Sequence, residues 1–261
     1  MKVGAIDEYS SLSSPFHRWD PRYKLVGFLT LIFAFSFVRD LRLLLAVVTV
    51  TVGIYLVSRL PASYLVRRLR YPSLFLLALV LIMPFVSGQT VVASLGPLAV
   101  RQEGLIASLL IATRFLAILT VGSVLFGTAP FLTTIRAMRA LRLPGLLADM
   151  VLLSFRYLHE IGNDLQKMQT AMKLRGFGGR SVGLRNIRIL AWLAGSILVR
   201  SYERAEWVYK AMIVRGYGHA PDYRGYFHAR ASDVAILVVL LLTAASLAAG
   251  QIISGHASGA T

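Results

Sequence analysis

Apolar residues fall in long unbroken blocks, and the polar residues collect in the gaps between them. The blocks run Tyr23–Val38, Leu41–Ser58, Pro72–Val86, Leu105–Thr128 and Ser232–Ala249. At 1.5 Å per helical residue each is long enough, or nearly so, for a ~30 Å hydrocarbon layer, so the pattern predicts five transmembrane helices. Several boundaries carry their own chemistry. Asp20-Pro21 sets an acidic N-cap before a proline at the first helical position, and Trp19 and Tyr23 read as interfacial aromatics. Pro61 opens a short basic helix with Arg67, Arg68 and Arg70, Pro72 starts the third span, and Pro84 kinks or ends it. Residues 87–104 read as a Gly-containing loop, and Ser232 as the cap of the last span.

Between the fourth and fifth blocks the pattern changes to helical periodicity with many charges. Phe131–Leu143 is a short amphipathic piece bearing Arg136, Arg139 and Arg142, closed by Pro144-Gly145. A thirty-residue stripe follows, Leu147, Val151, Ser154, Leu158, Ile161, Leu165, Met168 and Met172, whose next position is Arg175. Those alternating steps of four and three are the spacing of a packed helix face. The same steps recur forty residues later through Ile187, Ala191, Ala194, Leu198, Ser201, Ala205, Val208 and Met212, leading to Arg215. Each helix would be ~45 Å long, and the small residues of the second stripe would let the pair cross closely. Glu203, Arg204 and Glu206 read as a solvated face or as charge pairs between the crossing helices. The expected fold is an all-α polytopic membrane protein: about five transmembrane helices plus a cytoplasmic module of three helices, two of them long and crossing. Two short apolar runs, Leu146–Leu158 and Ile189–Val199, leave six or seven spans as the alternative. The expected divisions are 1–128, a membrane domain with four spans; 129–230, the cytoplasmic helices; and 231–261, the final span and tail.

Composition supports the membrane and the charges orient it. The 261 residues are 56% apolar and only 15% charged, unusual for a soluble domain. A net charge of +16 would otherwise suggest nucleic acid. With the N-terminus inside, however, segments 1–24, 59–70 and 129–230 hold twenty-four of the twenty-eight Lys/Arg. Such a bias places the N-terminus in the cytoplasm and the C-terminus outside, and no nucleic-acid partner is expected. Acidic residues Asp7, Glu8 and Asp20 ahead of the first block argue against a cleavable signal. The chain has no cysteine, which removes disulfides, thiolate chemistry and Cys-ligated metals. None of its five lysines follows a glycine, so a Walker-type phosphate loop is excluded. Its five histidines make no HExxH and no i,i+4 pair with an acid. No catalytic residue, cofactor or metal site is expected.

The chemistry that remains lies at the ends of the two long helices. Ala171-Met-Lys-Leu-Arg175-Gly176-Phe-Gly178 and Ala211-Met-Ile-Val-Arg215-Gly216-Tyr-Gly218 share six of eight positions in kind. One copy alone reads as an ordinary C-cap, with Arg on the last turn, Gly in the left-handed position and an aromatic packing back. Two copies in matching phase, each with Ala four residues before the Arg, point instead to two similar partner sites. The alanines leave room for another surface, and the guanidinium fork suits a carboxylate. Arg114 is the one charge inside a span away from its ends: either it is met by carbonyls within the bundle, or it contacts another membrane subunit. The basic surface of 131–142 could bind anionic lipid.

With four spans before them and one after, these paired motifs resemble the T-component of energy-coupling factor transporters, the CbiQ/EcfT family. The likeness runs from Trp19-Asp20-Pro21-Arg22-Tyr23-Lys24 through Arg204-Ala205-Glu206-Trp207-Val208-Tyr209-Lys210-Ala211-Met212. It implies a non-catalytic scaffold in a prokaryotic inner membrane. Ala171, Arg175 and Gly176 would dock one ABC-type ATPase, and Ala211, Arg215 and Gly216 a second, while the spans hold a substrate-binding S-component. The second motif's run and Ile6-Asp7-Glu8-Tyr9 resemble the cobalt/nickel branch more than the vitamin branch. In that family the S-component binds the metal. Lys173-Leu174 and Ile213-Val214 depart from the more basic pairs of many relatives. A stand-alone secondary transporter is the alternative, disfavoured because the repeat lies outside the spans; a lipid-binding scaffold with no transport role is a third.

Overall fold

A computed structural model describes residues 14–86, 91–95, 98–176, 184–217 and 230–258. Phe177 and Gly178 of the first tip and Gly218 of the second lie outside the described residues, as do Asp7, Glu8 and the Ile6–Tyr9 run. The chain divides into two compact units, with the boundary between Ala137 and Met138. One unit contains the described residues 138–217; the other contains those up to 137 and from 230 onward.

The larger unit is a bundle of helices. After a short α1 (Pro15–Arg18) come α2 (Pro21–Phe37), α3 (Leu41–Ser58), α4 (Ala62–Val86), α5 (Gln102–Gly127) and α9 (Ala231–Ser258). Four of these, α3, α4, α5 and Ala231–Ser254 of α9, are long and apolar enough to cross a membrane. The fifth, α2, has 17 residues and would reach ~26 Å. It begins as its sequence predicts: Pro21 opens the helix, and the Asp20 carboxylate accepts from the Arg22 backbone N–H at 2.9 Å. In α9 the helix starts one residue before Ser232, and Asp233 closes the end by accepting from the Arg230 backbone N–H at 3.0 Å. That is the returning half of a capping box.

α5 packs on α2, α3 and α4, and α2 also packs on α9. The core lies where they meet, with Phe28, Leu31, Phe35, Val121 and Val124 fully enclosed. Gly27 permits α2 and α9 to approach closely, since a Cβ there would stand 3.1 Å from Leu240 Cδ1 of α9. Polar contacts fix the order of helix ends. The Trp19 indole donates to the Asp233 carbonyl at 3.0 Å, so α2 and α9 start together. Gln251 accepts from the backbone N–H groups of Arg39 and Asp40 at 2.7 and 3.2 Å, so they also run parallel to the far face. Tyr64 at the start of α4 packs on Gly127 at the end of α5. The outer faces stay apolar and open, as on Leu45 of α3, 76% exposed, which is what a lipid-facing surface requires.

Three sequence expectations need correction here. The prolines of the third span neither start nor end it: α4 is one helix from Ala62 to Val86 with Pro72 and Pro84 inside. The Ser73 hydroxyl donates to the Arg70 carbonyl beside the first proline at 3.1 Å. The loop of 87–104 contains a two-stranded antiparallel ribbon, β1 (Val91–Leu95) and β2 (Leu98–Arg101), with Leu95 opposite Leu98. Trp19 is no interfacial anchor. It is 3% exposed and stacks edge-on to Phe28.

The smaller unit holds the end of α6 (Phe131–Ala140), all of α7 (Gly145–Leu174) and α8 (Leu184–Val214). α7 has 30 residues and α8 has 31, each ~45 Å long as expected. Neither is long and apolar enough to cross a membrane, so the six- or seven-span count finds no support.

Candidate functional site

The geometry of the two tips depends on how α7 packs against α8. On α7 the packed face is Ile161, Leu165, Met168 and Met172, the C-terminal half of the predicted stripe, while Leu147, Ser154 and Leu158 are exposed. On α8 the predicted stripe is right only at Ser201, Val208 and Met212. Ile187, Ala191, Ala194, Leu198 and Ala205 are exposed, and the face turned inward carries Ile189, Leu193, Ile197, Ser201, Arg204, Val208 and Met212. The close crossing on small residues is therefore corrected: Leu193 and Ile197 fill the contact.

Arg204 holds the centre of that contact. Its guanidinium reaches Glu160 and Asp164 of α7, both at 3.2 Å. The charge-pair reading of Arg204 thus prevails over the solvated one. The Ser196 hydroxyl faces the Met168 sulfur at 3.9 Å. Residues 160, 164 and 168 therefore meet 204 and 196 in descending order, which makes the two helices antiparallel.

An antiparallel pair sends its tips to opposite ends. Arg175 closes α7, and the second tip lies beside the start of α7, where the Tyr217 hydroxyl donates to Asp149 at 3.1 Å. Asp149 also takes Arg139 of α6 at 2.6 Å. From Asp149 to Arg175 the helix rises roughly 40 Å, which is then the separation of the tips.

Each tip is built by the same backbone device. Arg175 N–H donates to the carbonyls of Ala171 and Met172, and Arg215 N–H to those of Ala211 and Met212. Gly176 and Gly216 follow with φ of +84° and +77°, the left-handed region that favours glycine. Gly176 donates to Lys173 and Gly216 to Ile213, and at the second tip Tyr217 N–H returns to the Met212 carbonyl at 3.0 Å. Those last two bonds form a Schellman cap. Tyr217 does not fold back on its own helix; its ring hydroxyl goes across to Asp149.

Ala171, Arg175 and Gly176 are all exposed, and so are Ala211, Arg215 and Gly216. Sequence reasoning missed what stands beside them. Leu174 is 84% and Val214 88% exposed, the two most exposed large apolar side chains among the described residues. Both occupy the position just before the Arg, so each tip offers a guanidinium and an apolar knob together. The signal lay in the sequence as the Leu-Arg-Gly and Val-Arg-Gly triplets, which break the stripe rather than continue it.

Arg114 lies elsewhere, in α5. It donates to the carbonyls of Ser36 and Val38 at 2.9 and 3.4 Å, where α2 ends. Its charge is met by the negative end of that helix. Arg139, grouped with the lipid-facing basic surface on sequence grounds, is instead engaged with Asp149.

One unit is a bundle of apolar-faced helices and the other an antiparallel helix pair with exposed basic tips, which together have the form of a multi-pass membrane protein with a separate helical module. A family model described as cobalt transport protein, CbiQ, matches residues 12–225. The chain is 28% identical to an energy-coupling factor transporter transmembrane protein, EcfT, of Bacillus selenitireducens, covering 96% of this chain and 98% of that one. A second EcfT, of Lactococcus lactis subsp. cremoris, is 29% identical over 77% of this chain and 79% of the relative. Half of this chain is also 31% identical to 16% of a putative ABC transporter ATP-binding protein of Bifidobacterium longum. The chain belongs to the CbiQ/EcfT family, the transmembrane components of energy-coupling factor transporters. It is a membrane transporter component and not an enzyme.

Proposed function

We propose that the two tips are docking plugs for two ABC-type ATPase subunits, and that the spans hold a membrane-embedded S-component that binds the cargo. The observation that carries this reading is the matched pair of exposed Leu174-Arg175 and Val214-Arg215 corners, roughly 40 Å apart. Desolvated apolar contact next to a charge-assisted hydrogen bond is the usual composition of a strong interface anchor. A relative named as an ATP-binding protein that shares a stretch with this chain supports the class of partner. Movement of the ATPases on ATP would displace the tips, and α7 and α8, paired through Arg204, would transmit that displacement.

The cargo we assign is cobalt or nickel ion. The family model's description supports it, while the name of the long-matching relatives specifies no cargo. The N-terminus is assigned to the cytoplasm and the C-terminus to the outside, on the charge bias of the gaps between spans.

The test is co-purification of the ATPases with the wild-type chain, with Arg175→Glu, with Arg215→Glu and with both. Each single change is expected to weaken binding by about 2–5 kcal/mol if its charge pair is desolvated, and the double change to abolish it. Retention of both ATPases by the double variant would sink the docking assignment. Radiolabelled cobalt uptake by cells carrying the complex tests the cargo. Uptake of a vitamin with no cobalt transport would reassign the chain to the vitamin branch.

A further inference from the structure

At the face where α2 and α9 begin and α5 ends, the larger unit contains a cavity of about 290 Å³, roughly ten times the ≈30 Å³ share of a water molecule. Its lining includes Arg18, Lys24 and Arg230, together with His17, Asp20 and Asp233. Lys24 is the unusual member. It is 1% exposed, yet its ammonium donates a single hydrogen bond among the described residues, to the Phe16 carbonyl at 3.0 Å. An ammonium has three N–H groups, so two of them have no partner among the described residues, and a buried cation so placed is costly to keep.

The two nearby acids do not relieve it. Asp20 is engaged by the Arg22 guanidinium and backbone N–H, and Asp233 by the Arg230 backbone N–H. Arg18 and Arg230 are exposed at the rim and form no ion pair with a described residue. The cavity thus brings three Lys/Arg cations from α1, α2 and the approach to α9 around one space. It lies at the end of the bundle where the apolar helices α2 and α9 begin and α5 ends.

We propose that this cavity binds the phosphate group of an anionic phospholipid from the adjoining leaflet. Phosphate oxygens would accept from the Lys24 ammonium inside and from Arg18 and Arg230 at the rim. The bound lipid would tie the starts of α2 and α9 to the end of α5.

The experiment is native mass spectrometry of the purified full chain titrated with phosphatidylglycerol or with phosphatidylcholine. A parallel arm uses inorganic phosphate in neutral-lipid nanodiscs, read by thermal unfolding. Wild type is expected to retain phosphatidylglycerol in preference to phosphatidylcholine, and Arg18→Gln and Arg230→Gln each to weaken that preference about fivefold. Arg67→Gln and Arg70→Gln, exposed basic positions that do not line the cavity, should leave it unchanged. Lys24→Met is the stronger change but alters a buried position, so the rim arginines keep the test independent of folding. Equal retention of both lipids overturns the proposal, as does an equal loss in the Arg67 and Arg70 variants. Stabilisation by inorganic phosphate that matches phosphatidylglycerol overturns the lipid as source and leaves a soluble-phosphate site.

Discussion

Gly176 and Gly216 decide how the tips present their arginines. At φ of +84° and +77° the chain turns back on itself, leaving Arg175 and Arg215 as the last residues before the turn, with their side chains exposed. An L-residue in that conformation carries a penalty of about 1–2 kcal/mol. Gly176→Ala and Gly216→Ala are therefore each expected to loosen one cap by that amount and to weaken ATPase capture at that tip only. Isothermal titration with the isolated ATPase would read the loss, and unchanged affinity would mean that cap geometry does not matter to docking. The spare space around both glycines, where an added Cβ meets nothing within 4 Å, keeps the test on backbone conformation rather than on collision. Arg175→Lys and Arg215→Lys form a companion series: they retain charge but lose the planar fork, so a residual loss of affinity would indicate bidentate recognition.

Among the elements, the α7–α8 pair shows where sequence pattern suffices and where it fails. Helix ends were legible because Pro144-Gly145 at one end and Arg-Gly at the other are chemical stops, and α7 runs from Gly145 to Leu174 as the stripe predicts. The packed face of α8 was not legible in its first half. From Ile189 to Val199 that helix is apolar nearly all round, so Ile187-Ala191-Ala194-Leu198 and Ile189-Leu193-Ile197 fit a helical period equally well. Arg204 would have counted against the true face, and only its partners Glu160 and Asp164 on another helix explain its place there. The ribbon at 91–101 was hidden for a similar reason: its short apolar runs flank a Gly-Pro pair that by itself reads as loop. Arg204 gives this scale its prediction. In a double-mutant cycle of Arg204→Met and Asp164→Asn, thermal unfolding in detergent should show a coupling of about 0.2–1 kcal/mol, since the pair is partly exposed. Coupling should fall with added salt. A value of zero would leave Glu160 and the apolar contact of Leu193 and Ile197 to hold the crossing.

For the whole molecule, the arrangement of spans and the placement of charge make one joint statement that can be tested without a partner. In the larger unit α2 and α9 run parallel, tied at one end by Trp19 to Asp233 and at the other by Arg39 and Asp40 to Gln251. α4 begins where α5 ends, at Tyr64 against Gly127. That order leaves an odd number of crossings between the chain before α2 and the chain after α9. With twenty-four of twenty-eight Lys/Arg in the segments of one side, the topology we propose puts both tips and the start of α2 in the cytoplasm, and the end of α9 outside. The chain has no cysteine, so single cysteines report position without background. In intact cells, a membrane-impermeant maleimide is expected to label Ser258→Cys but not Val214→Cys or Leu174→Cys, and all three after permeabilisation. Val214 and Leu174 suit this purpose because their high exposure removes burial as a reason for silence. Labelling of either tip from outside would invert the topology, and with it the access of cytosolic ATPases to the arginines on which docking depends.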